Sequence, residues 1–294
     1  MTPPLITAEQ LMALRAQHQD VLVADCTFHL NDVHLGRQQY EQSHIAGAVY
    51  VDLDQDLSAH DPAESVNGGR HPLPTREVIA QRLGRLGIGP QTIVVAYDQV
   101  GTLVAGRLWW LLRWCGHAHT YVLDGGWEAW RRAAGDCASG VQTRSPAPAY
   151  PLAPPLENLV LQAEVINQLD QPAFHLVDAR AAARYRGEVE PIDRVAGHIP
   201  GAKNRPYDHN FNADGTFKDA QTLRKEWSAL LPSGGDRPVV AYCGSGVSAI
   251  PNLIALSLAG IEAHGLYAGS WSEWSSNPSL PVATHTGDGS ESPK

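Results

Sequence analysis

The chain is written twice, and this constrains its fold more than any other feature. "VLVADCTF" at 21–28 parallels "FHLVDARA" at 174–181, and "SHIAGAVYVDLD" at 43–54 parallels "GHIPGAKNRPYD" at 197–208. "IVVAYD" at 93–98 parallels "VVAYCG" at 239–244, and "YVLDGGWEAW" at 121–130 parallels "GLYAGSWSEW" at 265–274. The order is the same in both halves, so the sequence predicts two copies of one unit of ordinary domain size. We place the first domain at 1–140 and the second at 159–283. Between them, 141–158 lies within a stretch rich in Pro, Ala and Ser that reads as an extended linker. The polar tail 284–294 reads as disordered.

Each half mixes short β-branched runs with helical patterns. "TIVVAY" and "RPVVAY" suit buried strands, and "TREVIAQRLGRLG", "AGRLWWLLRWCG" and "PNLIALSLAG" suit helices between them. Strands that alternate with helices predict an α/β fold, each copy a mainly parallel sheet flanked by helices. In such sheets the chemistry sits beyond the carboxyl ends of the strands. The net charge of -9 argues against nucleic acid or an anionic membrane as partner. The start of the chain lacks the basic and apolar regions of a secretory signal, and no uncharged apolar run approaches the roughly 20 residues needed to span a bilayer. Four cysteines, with no C-x-x-C pair and no zinc-type spacing, predict free thiols and no metal site in a reducing cytoplasm, and no cofactor is expected.

The duplication also supplies a control, since features shared by both halves are structural candidates and features of one half are chemical ones. His44 and His198 recur in the "HI-GA" turns, and Trp127 and Trp271 recur after the glycine turns, so all four are assigned to packing. Asp25 and Asp178 end equivalent strands, and Asp178 is expected to pair with a neighbouring Arg, with Arg180 in that role. The next strand end differs. It carries Asp98 in the first half and Cys243, followed by "GSGVSA", in the second. The spacing predicts a helix beginning near Ser248, with Ser248 as its N-cap and Pro251 in its first turn. Unpaired N–H groups and the helix dipole favour negative charge there, a setting that makes a cysteine a better nucleophile. Gly244 and Gly246 let the loop curl so that its N–H groups form a nest. Cys26, Cys115 and Cys137 are read as small buried hydrophobes.

Two tandem α/β halves, the first without a nucleophile, and "HIAGA", "DARAAARYRG", "GHIPGA", "YCGSGVSA" and "LYAGSWSEW" in that order resemble the rhodanese superfamily over about residues 5–283. Within it the chain is similar to the two-domain sulfurtransferases that use thiosulfate or 3-mercaptopyruvate. The resemblance implies that Cys243 takes up a sulfane sulfur as a persulfide, with Gly244, Gly246, Val247 and Ser248 forming the loop around it. The uncharged "CGSGV" form resembles the 3-mercaptopyruvate enzymes, in which an Asp–His–Ser relay protonates the departing enolate. The matching residues are Asp54, His71 and Ser245, with Asp54 and His71 expected to reach the site from the first half. Arg184 matches the Arg that pairs with the donor carboxylate. The family's second Arg follows a Glu-Pro directly, whereas here Glu190-Pro191 is followed by Ile192 and Asp193, so Arg194 is the candidate replacement. No cysteine follows soon after the loop, so the acceptor is expected to be external: thioredoxin, another dithiol, or cyanide. Thiosulfate as donor and a persulfide relay without turnover remain open alternatives. A phosphatase needs an Arg six positions after the cysteine, where Ala249 stands, and a dinucleotide site needs a third glycine that the loop lacks.

Overall fold

The computed structural model describes residues 3–231, 237–261, 264–285 and 291–293. The chain forms two compact units. The first comprises residues 1–64, 74–157 and 211–217, and the second 65–73, 158–210 and 218–294. Each unit therefore borrows a short segment from the other half of the sequence.

The first unit contains β1 (Leu5–Ile6), α1 (Ala8–Gln17), β2 (Val21–Asp25), α2 (Leu35–Gln42), β3 (His44–Ile45) and β4 (Val49–Tyr50). It continues with α3 (Arg76–Arg85), β5 (Ile93–Tyr97), α4 (Ala105–Trp114), β6 (Thr120–Leu123), α5 (Gly126–Arg132) and β7 (Cys137–Ala138). The second contains β8 (Asn158–Val160), α6 (Gln162–Asp170), β9 (His175–Asp178), α7 (Ala182–Tyr185), β10 (Lys203–Asn204) and α8 (Ala220–Leu230). It ends with β11 (Val239–Tyr242), α9 (Ile250–Leu258), β12 (His264–Tyr267), α10 (Ser270–Trp274) and the antiparallel pair β13 (Ala283–His285) and β14 (Glu291–Pro293). Part of the tail expected to be disordered is thus paired; residues 286–290 and 294 lie outside the described residues.

The main sheets have the same order, β1-β6-β5-β2-β4 and β10-β9-β11-β12-β8 read in opposite directions, and all their pairings are parallel. Both central strands are buried at nearly every position, without the alternation of a one-sided sheet, because helices cover both faces. The cores repeat as well. Ile45, Tyr97, Trp127 and Trp130 in the first unit are matched by Ile199, Tyr242, Trp271 and Trp274 in the second.

His44 and His198 serve this packing. Each ring is fully buried, stacks on a tyrosine (Tyr40 or Tyr185) and makes a 2.7 Å Nδ1 hydrogen bond to that tyrosine's carbonyl oxygen. Arg180 pairs with Asp178 at 2.7 Å, both buried, as expected. Of the three cysteines assigned to the interior, Cys26 and Cys115 are buried but Cys137 is exposed, because β7 is a short strand at the surface. The linker is a strap on the first unit: the N–H groups of Ala147, Tyr150, Ala153 and Leu156 donate to carbonyls of Gly84, Ala80, Cys115 and Arg113, and Glu157 forms a buried ion pair with Arg113. Among the described residues, no helix is long and apolar enough to cross a membrane.

Candidate active site

Cys243 directly follows β11, at the carboxyl edge of the second sheet, and is buried. Its backbone is clamped by the first turn of α10: Cys243 N–H donates to Ser270 Oγ (3.1 Å), and the N–H groups of Trp271 and Ser272 donate to the carbonyls of Cys243 and Gly244 (both 2.9 Å). Ser270 takes a left-handed φ of 57°, a strained choice for a serine, and its hydroxyl also donates to Tyr267 O.

The helix after the loop begins at Ile250 with Ala249 as N-cap, and Pro251 lies in its first turn as expected. Ser248 is therefore not the cap that the sequence suggested; it sits one residue earlier, half-buried in the turn. The two loop glycines differ in purpose. Gly246 has φ +72°, and a Cβ there would stand 2.3 Å from Ala268 O, so only glycine fits. Gly244 has no such φ; a Cβ on it would instead face the guanidinium groups of Arg70 (Nη2, 3.2 Å) and Arg184 (Nη1, 3.8 Å). Among the described residues, the N–H groups of Ser245, Val247, Ser248 and Ala249 make no hydrogen bond. Buried backbone donors of this kind call for an acceptor.

The first unit displays what such a loop does with an anion. Asp98 takes the position of the cysteine, and the following loop wraps its buried carboxyl. Oδ1 accepts from Val100 (3.0 Å) and Thr102 (2.8 Å), and Oδ2 from Val104 (2.9 Å) and Ala105 (3.0 Å). Burial raises the Asp98 pKa, and the four N–H groups oppose that shift.

His71 belongs to the second unit, because the segment 65–73 packs there. The expectation that it reaches the site as part of the first domain is corrected to that extent: its half of the sequence supplies it, but its own segment is docked on α10. Gly68 N–H donates to Glu273 Oε1 (2.6 Å) and Arg70 N–H to Ser272 Oγ (3.0 Å). So placed, His71 Nδ1 lies 2.8 Å from Ser245 Oγ, with both side chains buried. Asp54 belongs to the first unit. It is half-buried in the turn after β4, its N–H donates to Asp52 Oδ1, and burial and the Asp52 charge raise its pKa.

Arg184, at the end of α7, is held by two carboxylates: Glu190 (2.6 Å to Nη2) and Asp193 (3.0 Å). Burial, the largest influence on Glu190, pushes its pKa up, but the Arg184 hydrogen bond and charge and the N–H groups of Asp193 and Ile192 leave it below the usual carboxylate range. Arg194 is exposed, and among the described residues it makes no ion pair. The guanidinium that stands with Arg184 in front of Gly244 is that of Arg70, which the sequence reading passed over although it precedes His71 directly. A cavity of about 610 Å³ lined by His175, Lys203 and Arg237 lies at the amino ends of the strands, away from Cys243.

With this geometry in hand, the comparisons have a physical counterpart. The model of the rhodanese-like domain matches the chain twice, at residues 7–133 and 161–277. The chain belongs to the rhodanese family. It is 46% identical to a probable 3-mercaptopyruvate sulfurtransferase of Pseudomonas aeruginosa, over 95% of this chain and 98% of that one. It is 39% identical to a putative thiosulfate sulfurtransferase of Mycobacterium tuberculosis, over 96% and 97% of the two chains. The solved structure of the 3-mercaptopyruvate sulfotransferase SseA from Escherichia coli superposes with a TM-score of 0.78 at 27% identity, covering 92% of this chain and all of that one. The two matched stretches agree with the duplication read in the sequence and with the paired sheets.

Proposed function

We propose that this protein is a sulfurtransferase that takes sulfur from 3-mercaptopyruvate onto Cys243 and passes it to a thiol acceptor, releasing pyruvate. The observation that carries the reading is the 2.8 Å contact between His71 and Ser245, two residues after the cysteine. Thiosulfate gives up its sulfur without a proton transfer to carbon, whereas 3-mercaptopyruvate does not. Its C–S bond breaks as the Cys243 thiolate attacks the donor sulfur, and the bonding pair leaves as an enolate. The proton carried by the donor thiol moves to that carbon. A Ser–His pair within hydrogen-bond reach is the group that can relay it. Cys243 is left as a persulfide anion, and the N–H groups of Ser245, Val247 and Ser248 in the loop that follows, which Gly244 and Gly246 help to shape, suit that charge as the first unit's loop suits Asp98.

In this scheme Arg184 anchors the donor carboxylate through Nη1, the nitrogen that Glu190 and Asp193 leave over, and Asp54 is the carboxylate member of the relay. Arg194, exposed and outside the carboxylate cluster, is given no donor contact. An external dithiol of the thioredoxin kind, or cyanide, then removes the sulfane sulfur. A dithiol leaves as disulfide with release of hydrogen sulfide, and cyanide as thiocyanate. No cofactor is needed for either half, and we place the reaction in the cytoplasm, where the acceptor dithiols are reduced.

The thiosulfate name of the M. tuberculosis relative favours a second reading, thiosulfate as donor. Comparing kcat/KM for the two donors with one acceptor decides. An advantage for 3-mercaptopyruvate of at least about a hundredfold, the usual worth of acid–base catalysis, supports the first reading. A preference for thiosulfate overturns it.

A further inference from the structure

Building on that donor reading, we propose that Arg70 is a donor-binding residue. With Arg184 it forms a two-guanidinium cradle for the carboxylate of an α-keto acid donor, and the Asp193 carboxylate sets the spacing of the two.

Asp193 is the bridge. One carboxylate oxygen accepts from Arg70 Nη1 at 2.9 Å and the other from Arg184 Nη2 at 3.0 Å, and its side chain is only 5% exposed. Two guanidinium groups side by side repel unless an anion lies between them, so this buried carboxylate fixes their separation. Glu190 takes the remaining inner edge of Arg184. The donors left over are informative. Among the described residues, Arg70 Nη2 and Arg184 Nη1 make no hydrogen bond, and both lie against the face of Gly244, the residue after Cys243. A planar carboxylate accepts one N–H from each of two such groups. The missing side chain at Gly244 leaves the space for it, since a Cβ would stand 3.2 Å from Arg70 Nη2.

Arg70 is also held in register with the cysteine loop through one residue. Ser272 accepts the Arg70 N–H with its hydroxyl and donates its own N–H to Gly244 O. The loop that presents His71 to Ser245 therefore presents Arg70 to the donor's other end. In 3-mercaptopyruvate three bonds separate the sulfur from the carboxylate carbon, and the adjacent Cys243 and Gly244 suit that short span.

The test uses Arg70→Ala, Arg70→Gln and Arg70→Lys in the full chain. Loss of a charge-assisted hydrogen bond predicts a fall in kcat/KM for 3-mercaptopyruvate of about 10- to 100-fold, carried mainly by KM, with Arg70→Lys intermediate. The inhibition constant of pyruvate should rise in parallel, which reads carboxylate binding without turnover. A third readout needs no sulfur donor: the preference of Cys243 for iodoacetate over neutral iodoacetamide, followed by peptide mass mapping, should fall about tenfold in Arg70→Ala. If kcat falls while pyruvate inhibition and the alkylation preference stay at wild-type values, Arg70 only supports the His71 loop and the proposal is overturned. If the wild type does not turn over 3-mercaptopyruvate, the donor reading fails by itself, and the alkylation preference still decides for or against the cradle. Should Arg70→Ala fail to fold, the same comparison is read on Arg70→Gln, whose neutral side chain keeps the volume.

Discussion

Ser245→Ala removes one hydroxyl and probes the proposed relay directly. In the structure that hydroxyl is 2.8 Å from His71 Nδ1, and both groups are buried, so water cannot replace it freely. The stability cost is that of an unpaired buried imidazole nitrogen, about 1–3 kcal/mol. The catalytic cost is larger, because a positioned proton donor is worth about 10²- to 10⁴-fold. We expect kcat/KM for 3-mercaptopyruvate to fall by at least about a hundredfold. The second half-reaction needs no such proton, so Cys243 loaded with sulfur from a polysulfide should discharge to a dithiol at the wild-type rate. Single-turnover assays separate the two halves. His71→Ala should give the same loss, and the double variant no further loss, as groups that act as a unit are non-additive. If Ser245→Ala keeps kcat/KM within about threefold of wild type, or if both halves slow equally, the hydrogen bond is structural and no proton passes through it.

Three further outcomes test the framework around the site. Asp98→Asn puts an amide NH₂ where an oxygen now accepts two backbone N–H groups; we expect a loss of about 3 kcal/mol in urea unfolding of the first unit, and an unchanged midpoint would refute the cradle described there. Gly246→Ala forces a Cβ to 2.3 Å from Ala268 O at a φ of +72°, so a destabilisation of about 1–3 kcal/mol and a matching loss of sulfur transfer are expected, whereas wild-type activity would mean that the loop moves without penalty. His117 is buried, and burial, with the neighbouring His119 charge, lowers its pKa to about 4. The unfolded chain protonates near 6.5 while the folded one does not, so stability is full above pH 6.5 and declines as pH falls toward 4, by about 3 kcal/mol in all. The slope of thermal midpoint against pH in that window should flatten in His117→Gln.

Much of the architecture is legible in the sequence because repetition is. The alternation of strand and helix, the four paired motifs and the structural histidines follow from patterns that local physics must satisfy twice. Cys243 is legible for the complementary reason: it breaks the repeat at the one strand end where the first half has Asp98. Local spacing fails where a loop decides. Ser248 has the chemistry of an N-cap, yet the turn runs one residue further and Ala249 takes the position. Cys137 has the residue type of a core position, yet a short surface strand exposes it.

The sequence by itself determined the duplicated α/β fold and the place of Cys243 at a strand end, since both are written in residues adjacent along the chain. Only the tertiary structure decided which groups surround it. Arg70 and His71 are more than 170 positions from the cysteine loop and reach it because the segment 65–73 docks on α10 by hydrogen bonds to Ser272 and Glu273. Arg184, Asp193 and Arg70 become one cluster through a single buried carboxylate. The physical reason is plain. Strand and helix periods are set by near neighbours, whereas ion pairs and hydrogen bonds between loops are set by distances in space that no spacing in the sequence encodes.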